Sequence, residues 1–457
     1  MEESLQMASS PIITMLEQFH VSPPPATIGD RSLPLTFFDI VWLPYPPVNH
    51  LYFYEFPLSK TKFMEKIVTT LKNSLSTTLQ HFFPFAGNLI IYPTCTRNPE
   101  IRYVEGDAVV VTIAESTLDF NDLVGNHPRD CDKFYPLVPL LGQATKVSDY
   151  VKIPVFSIQV TLFPNCGFSI GITNHHSLGD ASTRFCFLKA WTSIARTGSD
   201  ESFLVNGTLP FYDRVVKHPE LDELYIKQAK VETFCDGYQP PCLSGPSDKV
   251  RVTLVLTRAM INQMKKWVLT HHPTLQYVSS FTVACGYVWS CFAKLRNDGL
   301  QVFGLAIDCR TRLVPPIPAT YFGNCAAPCM AMAKAHLLTE KEGFATAVRL
   351  LGESLYKMLN DEEGIMKDAK TWFKFSFEGK PTTITGVAGT PRLEFYDMDF
   401  GWGKPRKYET ISIDYSETIS MNTTNESNQD LEIGVCLSRS EMEAFIGIFN
   451  GELENYM

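Results

Sequence analysis

His176-Ser177-Leu178-Gly179-Asp180 marks the point where an alternating strand pattern runs out and a helical one begins. Upstream, Phe156, Ile158, Val160 and Leu162 alternate with polar residues, Pro164-Asn165-Cys166-Gly167 supplies turn chemistry, and Phe168, Ile170 and Ile172 alternate again. That arrangement predicts a hairpin. Downstream, Phe187, Ala190, Trp191 and Ile194 recur at helical spacing behind Asp180, a residue suited to capping a helix. Gly179 stands where a small residue permits a sharp bend. The five residues form a strand-to-helix corner, and the mixture of strand and helix patterns around them predicts an α/β fold.

A histidine held at such a corner can face a cleft while a rigid scaffold fixes its backbone. Taking a proton from a hydroxyl near neutral pH needs a base whose pKa lies near the working pH, and neutral imidazole meets that need where a carboxylate is too weak. His176 is the candidate general base. A turn histidine on its own reads as structural; Gly179, Asp180 and a distant pentapeptide, Asp399-Phe400-Gly401-Trp402-Gly403, reverse that reading. Consecutive residues leaving a strand point to opposite sides, so His175 is expected to be structural. No further histidine or cysteine cluster supplies ligands to complete a metal site around His175, His176 and Asp180, and no bound metal is expected.

The chain has 457 residues, 45% hydrophobic and 12% aromatic, enough for a sizeable core and by length for two or three domains. Its net charge of -9 argues against a general nucleic-acid binder. Met1 to Pro25 lacks the pattern of a secretory leader, no stretch is long and apolar enough to span a bilayer, and the 12 cysteines form no C-x-x-C pair. A reducing cytosol with free thiols is the expectation, with the sequons at Asn206, Asn422 and Asn425 unglycosylated.

Residues 1–197 read as an N-terminal domain with a helix around Phe63 to Phe82 and the His176 corner. A polar, Pro- and Gly-containing stretch, 198–248, reads as a crossover. Residues 249–457 read as a C-terminal domain opening on a strand through Val252, Leu254 and Leu256, with helices beginning near Ala259 and Ser279.

The spacing of His176 and Asp180, together with Asp399-Phe400-Gly401-Trp402-Gly403, resembles the HxxxD and DFGWG motifs of the BAHD family, plant enzymes that move acyl groups from coenzyme A to alcohols or amines. The resemblance covers nearly the whole chain. It implies two chloramphenicol-acetyltransferase-like domains with mixed sheets and an active-site channel at their interface. It implies that Asp180 is architectural, pairing with Arg310 of Asp308-Cys309-Arg310, and that Asp399 opens a structural motif away from the reacting atoms. Tyr321-Phe322-Gly323-Asn324-Cys325 and the segment His176 to Arg184 are similar to the flavonoid-glycoside branch, many of whose members use malonyl-CoA. The expected substrates are malonyl-CoA and the sugar 6-hydroxyl of an anthocyanin, flavonoid or other phenolic glucoside, for a monomer bound to no membrane or nucleic acid.

Arg184, four residues after Asp180 on the same helix face, can bind malonate's free carboxylate through its guanidinium; the alternative is a helix-terminus ion pair with Asp180. Coenzyme A needs cations and backbone donors, for which Lys249, Arg251 and the helix start at Ser279 and Ser280 are the candidates. Lys404, Arg406 and Lys407 read as a solvated cluster. Thr385-Gly386-Val387 stands where hydroxycinnamoyl-transferring relatives often carry T-S-W, which disfavours a hydroxycinnamoyl donor and leaves the oxyanion donor unassigned. An acetyl or hydroxycinnamoyl donor on another plant alcohol, a carrier-protein-dependent enzyme of the condensation-domain type and a non-catalytic ligand-binding relative remain as alternatives.

Overall fold

Why the corner is rigid follows from the hairpin beneath it. Strands Phe156–Phe163 and Gly167–Asn174 are buried at every position, so both faces are covered and the pair lies inside a sheet. The computed structural model describes residues 12–94, 97–205, 209–273, 275, 278–372, 382–416 and 418–456. The sequon at Asn206 and the start of the Met1 to Pro25 stretch lie outside them.

Three sheets organise the chain. The first has six strands in the order Ile13–Val21, Val109–Ser116, Phe156–Phe163, Gly167–Asn174, Val48–Glu55 and Lys407–Thr410, mixed because Phe156–Phe163 runs parallel to Val109–Ser116. Helices Thr69–His81 and Ala181–Thr197 pack together, fastened by the Trp191 indole N–H donating to the Ser74 hydroxyl at 3.0 Å. A second, seven-stranded mixed sheet carries Lys249–Leu256 and Leu431–Ser438, with helices Ser280–Leu295 and Arg439–Glu454 among those sharing its apolar core. A third sheet of five short antiparallel strands, Arg31–Pro34 to Thr145–Val147, stands beside the first and was not expected from the sequence.

The sheets trade strands across the expected boundaries. Lys407–Thr410, from the C-terminal half, forms the edge of the first sheet against Val48–Glu55, and Arg129–Asp130, from the N-terminal half, forms an edge of the second against Lys249–Leu256. Cuts at 197 and 249 therefore divide the sequence without dividing the sheets. A buried ionic seam marks the crossing. Glu409 receives Arg129 at 2.8 Å and Arg251 at 3.2 Å, and Arg251 also donates to the Thr410 carbonyl at 2.8 Å and faces Asp414 at 3.4 Å. Burial raises the Glu409 pKa, but the two guanidiniums more than offset it and hold the carboxyl down to about 2.

Among the described residues no helix is long and apolar enough to cross a membrane.

Candidate active site

His175 ends the hairpin and caps the short turn His176–Leu178: its Nδ1 accepts the Ser177 amide at 3.3 Å and lies 2.8 Å from the Ser177 hydroxyl. Both partners are local, and the ring is buried, so His175 is spent on the turn. Asp180 then caps helix Ala181–Thr197, its Oδ1 accepting the Thr183 amide at 3.0 Å. Gly179 is extended, with φ 161°, a conformation open to any residue. Space is what requires glycine there, because a Cβ would sit 2.6 Å from Thr183 Cγ2.

The second sheet reaches across to clamp this corner. Arg310 holds Asp180 through two bonds, Nη1 to Oδ2 at 2.8 Å and Nη2 to Oδ1 at 3.1 Å, and the Cys325 amide donates to Oδ2 at 3.1 Å. Arg310 is 2% exposed and fills its remaining valences on the Tyr321 and Gly323 carbonyls. Burial raises the Asp180 pKa, and Arg310 with two amides brings it below the usual carboxylate value. The carboxylate thus faces Arg310 and not His176. Thr183 adds a reciprocal pair with Gly323, its hydroxyl donating to the carbonyl at 2.9 Å and lying 3.1 Å from the amide nitrogen.

Asn324 completes the clamp. Its side-chain Nδ2 donates to the His176 carbonyl and to Asp39 Oδ1, each at 3.1 Å, and its backbone amide donates to the same Asp39 oxygen at 2.7 Å. Asp39 is fully buried in the short helix Phe37–Ile40, where it also accepts the Thr36 amide at 3.2 Å. The sequence offered Asn324 only as part of a five-residue similarity, and Asp39 carried no local signal at all, because its partner lies 285 positions away.

The His176 ring is half-buried, with the Trp42 indole stacked upon it. Burial lowers its pKa to about 4, the Arg184 charge adding to the shift and the Asp180 and Asn324 groups opposing it. Nδ1 is buried with no hydrogen-bond partner among the described residues. The His176 imidazole is thus neutral at pH 7.

Arg184 makes no ion pair with Asp180, contrary to the helix-terminus alternative: Asp180 is already filled by Arg310 and two amides. The guanidinium is 7% exposed, lies 5.8 Å over the Phe395 ring, and has no carboxylate within salt-bridge distance among the described residues.

The coenzyme candidates fare differently. Arg251 is 1% exposed with its charge matched by Glu409 and Asp414, which corrects the expectation that it meets a phosphate. Lys249 is exposed but donates to the Asp414 carbonyl at 2.6 Å. The Ser279 hydroxyl caps helix Ser280–Leu295 through the Thr282 amide at 3.0 Å, and Ser280 is the first residue of that helix. Lys407, read as solvated, is buried and donates to Asn126 Oδ1 at 2.9 Å. In Asp399-Phe400-Gly401-Trp402-Gly403, Asp399 Oδ1 gathers the amides of Gly401, Trp402 and Gly403 at 2.7, 3.1 and 3.0 Å, and positive φ at Gly401 and Gly403 closes the turn. Phe400 packs edge-on against Trp191 and Trp402 against Phe168, so the motif seals the helix against the hairpin.

Comparison with known proteins agrees with this architecture. The Transferase family profile matches residues 12–450. A malonyl-coenzyme A:anthocyanin 3-O-glucoside-6''-O-malonyltransferase of Dahlia pinnata is 55% identical over 98% of this chain and 99% of its own. Phenolic glucoside malonyltransferase 1 of Nicotiana tabacum is 42% identical over 89% of this chain and 91% of its own, and a coumaroyl-CoA:anthocyanidin 3-O-glucoside-6''-O-coumaroyltransferase of Arabidopsis thaliana is 33% identical over 97% and 98%. Among solved structures, vinorine synthase superposes with a TM-score of 0.68 at 20% identity over 94% of this chain and 96% of that one, a likeness of fold. The chain belongs to the Transferase family, the BAHD acyltransferases.

Proposed function

We propose that this chain transfers malonyl from malonyl-CoA to a sugar 6-hydroxyl of an anthocyanin, flavonoid or other phenolic glucoside. The observation that carries the donor is Arg184, a buried guanidinium without a carboxylate partner among the described residues, on the helix that begins at the His176 corner. An unpaired buried cation costs several kcal/mol, and a carboxylate brought by the substrate offsets that cost. An acetyl or hydroxycinnamoyl group brings none. The named activities of the Dahlia and Nicotiana relatives support the same donor and the same class of acceptor.

Transfer proceeds directly within a ternary complex. His176 Nε2 takes the proton of the sugar hydroxyl as its oxygen bonds to the thioester carbonyl carbon. The tetrahedral intermediate then collapses, the carbon–sulfur bond breaks, and the proton passes from the imidazolium to the departing thiolate. Thiolate leaves far more readily than alkoxide, so one well-placed base suffices without an acyl-enzyme. Asp180, Arg310, Asn324 and Asp39 hold the imidazole in place. Lys249, Ser279 and Ser280 stay as candidates for the coenzyme phosphates; Arg251 does not.

The test is incubation of purified protein with malonyl-CoA, acetyl-CoA or p-coumaroyl-CoA and a panel of phenolic glucosides, read by product mass. Malonylated product formed faster than acetylated or coumaroylated product is the expected result. Preference for acetyl-CoA or p-coumaroyl-CoA overturns the donor, and binding without turnover by any thioester overturns the enzyme assignment.

A further inference from the structure

Below the His176 corner, helix Ala181–Thr197 covers a polar patch on the first sheet. His50 and Tyr52 stand two apart on strand Val48–Glu55 and share one face, and Tyr408 on the exchanged strand pairs directly with Tyr52. Arg184, on the helix, reaches Tyr408, and its charge acts on His50 and Tyr52 as well. All four are more than nine-tenths buried: His50 and Tyr52 are 2% exposed, Tyr408 4% and Arg184 7%. Tyr408 Oη lies 2.8 Å from His50 Nδ1. Among the described residues, His50 Nε2, the Tyr52 hydroxyl and Arg184 Nε have no hydrogen-bond partner.

Folded interiors satisfy their buried polar groups almost without exception. Three orphans in one patch, one of them on a cation with no carboxylate partner among the described residues, mark a place prepared for something else. Their chemistry says what it is. Burial, and after it the charges of Arg184 and His176, push the His50 pKa well below its ordinary value, so the ring is neutral. In the tautomer in which the Tyr408 hydroxyl donates to Nδ1, the imidazole proton resides on Nε2, which makes that atom a donor. Guanidinium N–H, imidazole N–H and phenol O–H are then three donors seeking acceptors, and a carboxylate is an acceptor at every lone pair.

We propose that His50, Tyr52 and Arg184 form a cradle for the distal carboxylate of a dicarboxylic acyl thioester, with Tyr408 fixing the tautomer of His50. The proposal rests on the malonyl reading above and extends it: discrimination between donors comes from two sheet residues as well as from the helix arginine. A donor lacking the distal carboxylate leaves all three groups unpaired, which is how a site built for hydrogen bonding rejects an analogue without the partner.

The experiment measures dissociation constants of malonyl-CoA and acetyl-CoA by calorimetry, so that it does not depend on knowing the acceptor. Arg184→Gln, His50→Phe, His50→Gln and Tyr52→Phe are compared with the unmodified protein. Tyr52→Phe removes one oxygen that has no hydrogen-bond partner among the described residues, so its fold is retained, and melting temperatures check each variant. The expected result is that Arg184→Gln, His50→Phe and Tyr52→Phe each lower the preference for malonyl-CoA over acetyl-CoA by about tenfold, the size of one hydrogen bond to a charged group. His50→Gln, which keeps an N–H donor, recovers part of that loss. If only Arg184→Gln changes the preference, the cradle is overturned and the malonyl reading stands. If Arg184→Gln weakens both thioesters equally, both fall.

Discussion

The indole of Trp42 lies flat on the imidazole of His176, with centroids 3.9 Å apart and planes 6° from parallel. Trp42 in turn packs edge-on against Tyr45 at 5.0 Å, so the ring that covers the base is itself braced. A stacked aromatic limits rotation about the histidine side chain and favours the imidazolium that forms as the proton is taken. Trp42→Ala is expected to lower kcat by about tenfold and Trp42→Phe much less, in line with a loss of about 1 kcal/mol of stacking. Stopped-time assays at saturating substrate check this; equal kcat for all three proteins removes the stack from catalysis.

His176→Ala should reduce kcat by roughly two to four orders of magnitude, the contribution of a positioned acid–base group. The melting temperature should hold, because the buried Nδ1 has no hydrogen-bond partner to lose among the described residues. A folded variant with near-normal turnover would exclude His176 as the base.

Removing Asp180 leaves the buried Arg310 with only the half-exposed Asp308 carboxylate, at 3.3 Å, as counter-charge. Asp180→Ala is expected to cost about 3 kcal/mol of stability, along with activity. The pair Asp180→Ala with Arg310→Met should recover a large part of the stability, since the two effects are coupled and not additive. Strict additivity in urea unfolding of the four proteins would show that the bidentate contact contributes nothing.

For pH, the sign follows from protonation. As the proposed base, His176 works only when neutral, and its pKa is lowered to about 4, so kcat/KM should stay level through neutrality and fall only as pH drops toward 4. Because the Arg184 charge contributes to that lowering, Arg184→Gln should move the acid limb upward. A limb that stays fixed or moves down in pH-rate profiles contradicts the geometry. His50, His175 and His176 all have depressed folded values, so the unfolded chain binds more protons as pH falls below 6.5. Their contribution to stability is therefore present above that pH and is lost on acidification, which thermal melts across the same range will register.

Arg251→Ala distinguishes a structural cation from a phosphate ligand. Buried in the ionic seam with Glu409 and Asp414, it should lower the melting temperature sharply by leaving two carboxylates under-compensated. A normal melting temperature with a raised KM for malonyl-CoA would restore its assignment to the coenzyme.

The corner was legible because its signals are local: alternation to Ile172, the cap at Asp180, helical spacing to Ile194. Arg310 was reachable through a family resemblance, and it does hold Asp180. What local pattern does not encode is long-range pairing. Asn324 with Asp39, Tyr408 with His50, and Trp42 on His176 join positions far apart in sequence, and each residue taken alone fits an ordinary core. Arg251 illustrates the converse. A cation at the start of a strand looks available for phosphate until the fold brings Glu409 and Asp414 against it. The third sheet escaped notice because its strands are only three to five residues long, too short for alternation to declare itself.

The exchanged strand also sets a clock on biosynthesis. Val48–Glu55 has its outer neighbour only once Lys407–Thr410 has been made, so the first sheet leaves the ribosome with an open edge and keeps it until nearly nine-tenths of the chain has emerged. An unpaired edge is where nascent chains join one another. Truncation before residue 407 should accordingly yield an aggregating fragment and not a folded N-terminal lobe.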